Sequence, residues 1–95
     1  MKERQLNKEI FGSFEKVTNY GGVPNQFIIT TDKGLLFQSY ETIIAATVSG
    51  KIYLDENNWD YSVTTGKYRN RFLGMDKKET LKQIEAGNII LANLN

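Results

Sequence analysis

Aromatic and basic side chains are concentrated in one stretch of this 95-residue chain, Trp59–Gly74 (WDYSVTTGKYRNRFLG). No acidic residue lies between its basic positions. Cationic side chains bind phosphate groups, and aromatic rings stack on unpaired bases. This combination indicates a surface that binds a nucleic acid or another partner. The predicted binding residues are Tyr61, Lys67, Tyr68, Arg69, Arg71, Lys77 and Lys78.

The spacing of the basic residues in this stretch limits how they can act together. On a helix, Lys67 and Arg71 share a face because they are four residues apart, whereas Arg69 lies about 160–200° from each. The helix dipole also favours a basic residue near a helix C-terminus, which accounts for Arg71 without a binding role. The alternative to phosphate binding, and the interpretation that this spacing favours, is a solvated helix face whose bases complement an acidic part of the chain.

The aromatic residues also allow two interpretations. Tyr40, Tyr53 and Tyr61 would stack unpaired bases if they were exposed on a sheet. If they were buried, they would be core residues whose hydroxyl groups reach a hydrogen-bond partner, and this second interpretation is favoured. The alternating glycines and aromatics of RNA-recognition strands are absent, so a sheet that reads RNA in that way is not predicted.

Catalytic and metal chemistry have little support in the sequence. Histidine and cysteine are absent, which excludes the usual zinc sites and the serine–histidine and cysteine–histidine catalytic pairs. Asp55, Glu56 and Asp60 do not have the spacing of a calcium loop, so a solvated turn is favoured there. Ser62 has no histidine base and is explained as a helix N-cap. We therefore expect a protein that is not an enzyme and holds no metal or cofactor.

Charge is divided unevenly along the chain. Residues 21–60 carry two bases and five acids, net −3, whereas residues 61–95 carry six bases and three acids, net +3. A polar surface field is therefore expected although the whole chain has a net charge of only +1. Residues 1–9 are too charged for a signal peptide, and no apolar run approaches the ~20 residues of a membrane span. We expect one domain over residues 1–95, loosely held at residues 1–9, in the cytoplasm and without a membrane partner.

The pattern before Trp59 is typical of a meander of antiparallel strands. β-branched and aromatic residues form short runs that glycine, asparagine and aspartate separate. A last apolar run follows residue 88 and could pair with the meander. The candidate strands are Phe14–Thr18, Gln26–Thr31, Leu35–Tyr40, Glu41–Ser49, Lys51–Leu54 and Ile89–Leu94.

Two helices are predicted after the meander. The first covers Val63–Leu73, with Ser62 as its N-cap and Gly74 at its C-terminus. Asp76 caps the second, whose buried side we expect to hold Leu81 and Ile84. The predicted fold is therefore α+β, an antiparallel meander sheet of four to five strands with two short helices of the C-terminal half packed on one face.

Three motifs together resemble a known group of proteins: Leu36–Ala45, Trp59–Ser62 and Thr64–Leu73. The chain is similar to a family of short uncharacterised proteins carried by phages, plasmids and integrative elements of Gram-positive bacteria. The resemblance covers about residues 25–95 and has no counterpart in residues 1–24. It implies a mobile-element accessory protein in the host cytoplasm, and it brings no assigned activity.

Two functions are compatible with these observations. The first is a small non-catalytic protein that binds a nucleic acid or a host complex loaded with nucleic acid, as an anti-defence inhibitor of the anti-CRISPR kind would. The second is a protein–protein interaction module, or a homodimer, that acts through a sheet edge or an aromatic patch.

Overall fold

The computed structural model describes residues 11–95, so the prediction that residues 1–9 are loosely held lies outside the described part of the chain. Two helices and six strands are present within these residues. In chain order the elements are β1 (Phe14–Asn19), β2 (Gln26–Thr31), β3 (Gly34–Ser39), β4 (Thr42–Val48), β5 (Lys51–Asp55), α1 (Val63–Leu73), α2 (Lys77–Glu85) and β6 (Ile89–Ala92).

All six strands belong to one sheet, in which their spatial order is their order in the chain. Strands β1 to β5 form an antiparallel meander, and β6 pairs with β5 in parallel. The α+β class is confirmed, but the expected four to five antiparallel strands are corrected to six strands in a mixed sheet. A parallel pair needs a crossover connection, and α1 with α2 provides it. Apolar patterning identifies a strand but carries no information on its direction, so the parallel pair could not be read from residues 89–94.

The two faces of the sheet have separate cores. On one face Phe37, Ala45 and Leu54 are fully buried and pack with Tyr68 of α1, and Ile84 of α2 joins the same cluster. The opposite face has its own buried cluster, to which the described parts of the two helices contribute no residue. Both helices therefore pack on one face, which we call the helix face. Helix α1 packs mainly on β3 and β4, and α2 packs on β6.

The predicted helix boundaries are confirmed by their capping contacts. The Ser62 side chain accepts a hydrogen bond from the Thr65 backbone N–H at 3.1 Å. Gly74 ends α1 with a φ of 73°, a left-handed conformation that favours glycine. The Asp76 side chain accepts a hydrogen bond from the Glu79 backbone N–H at 2.8 Å and so begins α2.

The buried side of α2 differs from the prediction. Leu81 is 47% exposed, whereas Thr80 is completely buried and Ile84 is half-buried. The Thr80 hydroxyl donates to the Asp76 carbonyl at 2.8 Å, so burial leaves that hydroxyl with a partner. A threonine whose hydroxyl group is hydrogen-bonded can therefore occupy the buried position that the apolar pattern assigns to Leu81.

Candidate binding surface on helix α1

Helix α1 turns one side toward the sheet and the opposite side toward solvent. Thr65 is 1% and Tyr68 is 8% exposed, and Phe72 is half-buried, as their helical spacing predicts. The Tyr68 ring packs edge-on against Tyr20, with 6.1 Å between the ring centroids. These contacts hold α1 in one orientation and thereby determine where its basic side chains emerge.

Lys67 and Arg71 emerge together on the exposed side of α1, beside the Tyr68 ring. The Lys67 Nζ lies 5.6 Å and the Arg71 Cζ 5.2 Å from the centroid of that ring, so both make cation–π contacts. Neither residue forms an ion pair with an acid in residues 11–95. Both charges are therefore available to an anion from outside.

The turn between β1 and β2 completes this surface. Gly21 and Gly22 have φ values of 66° and 75°, and the Val23 N–H donates to the Tyr20 carbonyl at 3.2 Å. Two successive positive φ values in a four-residue turn are the signature of a type I′ turn, which favours glycine. A Cβ on Gly21 would lie 3.9 Å from a terminal nitrogen of Arg71. The Arg71 guanidinium therefore lies beside this turn, and helix and turn form one continuous surface.

Arg69 lies on the other side of α1 and is 1% exposed. Its guanidinium donates to the Trp59 carbonyl and to the Asn70 side-chain oxygen, both at 2.8 Å. It also contacts the Trp59 ring, 5.1 Å from the centroid, and an Asp60 oxygen at 3.3 Å. Arg69 is thus occupied in holding the segment before α1 against the helix.

Asp60 joins Arg69 to the start of α2. The Lys77 ammonium group lies 2.7 Å from the second Asp60 carboxylate oxygen. The hydrogen bond from Lys77, together with that from Arg69, lowers the pKa of Asp60 although partial burial opposes the shift. Lys77 therefore belongs to the Arg69 side of the helix, while Lys78 is exposed and forms no ion pair with a described acid.

The five basic residues of the predicted surface thus do not lie together in the structure. Lys67 and Arg71 stand beside Tyr68, whereas Arg69 and Lys77 share Asp60. Because residues two positions apart on a helix point in nearly opposite directions, the two sets lie on opposite sides of α1. The surface available to an anion is therefore narrower than the sequence suggests. We call Lys67, Arg71 and the Tyr20–Val23 turn the basic face.

The tyrosines considered for stacking are also dispersed. Tyr61 is 72% exposed and directly precedes the N-cap of α1, and Tyr40 is 56% exposed in the turn after β3. Tyr53 is half-buried and packs against the core on the side of the sheet opposite the helix face. The general expectation of core tyrosines therefore holds for Tyr53 and is wrong for the other two.

Family membership follows from a sequence comparison. The profile of a family of unknown function, DUF8033, matches residues 7–88. The chain belongs to this family. The matched region includes α1 and the first five strands, and it begins before residue 25, where the resemblance in the sequence begins. No curated protein and no solved structure matches the chain.

Two features are absent from the part of the chain that the structure describes: a cluster of acidic metal ligands and a membrane-spanning helix. Residues 11–95 contain no group of three or more acids that could hold a metal ion. Asp55 is 1% exposed and accepts hydrogen bonds from the Leu94 N–H at 2.9 Å and the Asn58 amide at 2.7 Å. Within the same residues, neither helix has the length and apolar character needed to cross a bilayer.

The sequence interpretation missed two features of this region. The sequence predicts a solvated turn at Asp60, whereas its carboxylate binds Arg69 and Lys77. The contact between the Tyr20–Val23 turn and Arg71 links residues fifty positions apart. The ion pairs of Asp60 could have been predicted from its place as the single acid between Trp59 and the N-cap Ser62. No local sequence pattern predicts the contact between the turn and Arg71.

Proposed function

We propose that this protein is a small non-catalytic accessory protein that binds a nucleic acid, or a host complex loaded with nucleic acid, through its basic face. One observation carries the proposal: Lys67 and Arg71 are exposed beside one buried ring and have no acidic partner among residues 11–95. Phosphate contacts of this kind provide affinity and orientation but no sequence discrimination.

The Tyr68 ring supports this role because it restricts both cationic side chains before a ligand arrives. Long basic side chains lose up to ~2 kcal/mol of rotamer entropy when they are ordered. Cation–π contacts with a fixed ring impose part of that order in the free protein. A phosphate that binds Lys67 and Arg71 therefore meets groups that are already partly in position.

The other predicted residues have different places in this proposal. Tyr61 directly precedes the N-cap of α1 and Lys78 lies in the first turn of α2; both are exposed and so are available for further contacts with a ligand. Arg69 and Lys77 contribute to the net +3 of residues 61–95, but their contacts with Asp60 make them supporting residues. Tyr68 acts as the platform beneath the cations.

The biological setting is proposed from the resemblance of residues 25–95 to mobile-element proteins of Gram-positive bacteria. In that setting the protein acts in the host cytoplasm as an anti-defence inhibitor of the anti-CRISPR kind. A host defence complex that carries nucleic acid would present a phosphate backbone to Lys67 and Arg71. The family, whose function is unknown, adds no activity of its own to this assignment.

A pull-down from a Gram-positive bacterial lysate tests the proposal. The protein, a Lys67→Glu/Arg71→Glu variant and a Lys51→Glu/Lys82→Glu control serve as baits, with and without nuclease and at low and high salt. The control makes the same change in charge at two exposed residues away from the basic face. Captured nucleic acid should disappear with nuclease, high salt and the Lys67/Arg71 variant, but not with the control. Equal capture by all three baits would refute the proposal.

The second candidate function is a protein–protein module or homodimer that uses a sheet edge. Within the described sheet, β1 and β6 each pair with only one strand. Ile90 is 39% and Leu91 41% exposed on β6, and Val17 is 57% exposed on β1. Exposed edges with apolar side chains favour strand addition by a second chain. Analytical ultracentrifugation over a range of protein concentrations tests this. A dimer that the substitution Ile90→Lys disrupts would support the second function, and a monomer at every concentration would count against self-association.

A further inference from the structure

The helix face of the sheet is only partly covered by the helices. Helix α1 packs mainly on β3 and β4, and α2 packs on β6. Beneath α1, Phe37 and Ala45 are completely buried, whereas Ile28 and Thr30 of β2 are half-buried and every residue of β1 is exposed. At the turn end of β2 the sheet is covered, because Tyr20 packs on Phe37 and Tyr68 and Gln26 is 1% exposed. Farther along β2, the strip of the helix face above Thr18, Ile28 and Thr30 is only partly covered by residues 11–95.

A third cation stands on the far side of this strip. The strand register places Lys16 opposite Thr30 and Thr18 opposite Ile28. Paired residues of antiparallel strands project to the same face, and Ile28 packs into the core beneath α1, so Lys16 projects to the helix face. Lys16 is exposed and has no ion pair with an acid in the described chain.

The basic side of α1 borders the same strip. Arg71 lies beside Gly21 in the turn that joins β1 to β2, so the side of α1 that carries Lys67 and Arg71 is the side nearer β1. Lys16 therefore stands on one border of the strip, and Lys67 and Arg71 stand on the other. The acid next to Lys16 in the chain is Glu15, at the register shift of β1. Three cations against this one acid leave the borders of the strip, which form a groove between α1 and β1, with a net positive charge.

The width of the strip restricts what it can hold. Helix α1 packs mainly on β3 and β4, so β2 and β1 are the strands left beside it. Neighbouring strands are ~4.8 Å apart, so these two strands span about 10 Å of the sheet. A strip of that width is narrower than a nucleic-acid duplex and favours a single extended chain.

The floor of the strip favours a nucleic-acid strand over a peptide. Strand β2 is paired on both edges, so its backbone offers no free hydrogen bonds to a chain lying above it. An extended peptide there would form no backbone hydrogen bonds with the sheet, and it would gain more by pairing with the free edge of β1. A nucleic-acid strand needs cations for its phosphates and apolar contacts for its bases. Side chains present in the floor are Thr18, Ile28, Thr30 and the 40% exposed Leu35.

We infer that the groove between α1 and β1 binds one single strand of nucleic acid, with Lys16, Lys67 and Arg71 contacting its phosphates. This inference rests on the proposed function and adds to it a form of ligand, a path across the sheet and a third binding residue. Lys16 is absent from the segment that the sequence marks as basic, because strand pairing, not proximity in the chain, brings it to α1.

Fluorescence anisotropy with labelled probes tests this arrangement. The probes are an oligothymidine of about 12 nucleotides, within the range that small single-strand binders cover, a mixed-sequence duplex of similar length and a poly-glutamate peptide. Three phosphate contacts on a single strand predict a salt slope of about −2, so affinity should fall about 20-fold between roughly 50 and 200 mM salt. Lys16→Glu should weaken single-strand binding about five-fold or more and reduce the slope.

Lys51→Glu is the matched control for Lys16→Glu. Lys51 is also an exposed strand lysine, but its neighbour Ile52 packs into the helix-face core, so Lys51 projects to the opposite face. The inference predicts normal binding by this variant and preference for the single strand over duplex and peptide. Equal effects of the two substitutions, or duplex binding as tight as single-strand binding, would overturn the groove while leaving the basic face intact. Tighter binding of the peptide than of the single strand, or binding of none of the three probes, would also overturn it. The lysate experiment would then decide the proposed function separately.

Discussion

Substitution of Arg69 by alanine should cost far more stability than the same change two residues later. Arg69 is 1% exposed and donates to the Trp59 carbonyl and the Asn70 side chain, both at 2.8 Å. Hydrogen bonds that involve a charged group contribute about 1.5–3 kcal/mol, and the carbonyl left without a donor costs about 1–3 kcal/mol. Loss of the contact with the Trp59 ring adds about 0.5–2 kcal/mol.

Two features of the site reduce the loss of stability that these contributions would give together. Asp60 keeps Lys77 at 2.7 Å after the substitution, so no carboxylate is left alone. The buried Nε of Arg69 has no hydrogen-bond partner, and removing it relieves a desolvation cost. We therefore expect a net loss of about 3 kcal/mol, at the lower end of the sum of these contributions. For a domain of this size, that loss corresponds to a fall in Tm of about 12–24 °C.

Thermal and urea denaturation of three proteins measures this effect. Arg71→Ala is the control, because Arg71 is exposed and loses only its cation–π contact with Tyr68, which should change stability by no more than about 1 kcal/mol. Arg69→Met keeps the apolar stem and should fall between the two, since it loses the hydrogen bonds but retains part of the packing. If Arg69→Ala were as stable as Arg71→Ala, the assignment of Arg69 to a structural role would be refuted, and with it the division of the basic residues.

Two further substitutions test the same region. Gly66→Ala should stabilise the protein by about 0.5–1 kcal/mol in urea denaturation, because alanine has a higher helix propensity than glycine. The added Cβ would lie 3.6 Å from the Arg69 guanidinium, an ordinary van der Waals distance. Destabilisation would show that this Cβ is too close to Arg69. The lowered pKa of Asp60, caused first by its hydrogen bond from Lys77, means that its contribution to stability is present above the unfolded carboxyl pKa of about 3.9. That contribution should be lost as pH falls toward the folded pKa, and Asp60→Asn should flatten the pH dependence of Tm; an unchanged acid profile would contradict this.

The sequence predicted those features that depend on neighbouring residues. Ser62 and Gly74 mark the ends of α1 because a cap and a left-handed terminator act within one helical turn. The opposite placement of Arg69 relative to Lys67 and Arg71 was also predictable, since it follows from helix geometry alone. Burial of Arg69 was not, because it depends on the Trp59 carbonyl and on Asp60 being folded back onto the helix.

Features that depend on distant pairing could not be predicted in the same way. Lys16 reaches the border of the groove only through its pairing with β2, and Gly21 reaches Arg71 only through the packing of α1. The parallel direction of β6 depends on how the two helices carry the chain across the sheet. Each of these outcomes depends on the sum of many tertiary contacts, which patterns over a few residues do not contain.

The parallel pairing of β6 also has a consequence for the order in which the chain folds. Strands β1 to β5 meet through short turns, whereas β6 reaches β5 only after α1 and α2 have crossed the sheet. Contacts between distant parts of a chain form late because closing the long loop costs entropy before any contact compensates. We therefore expect the meander to assemble first, and α2 with β6 to dock last. Opening of α2 and of the chain that follows it would uncover the edge of β5, and it would also disturb the start of β4, because Asn95 is hydrogen-bonded to the backbone of Ile43. The cation–π contacts of Lys67 and Arg71 with Tyr68 lie outside this unit and would remain.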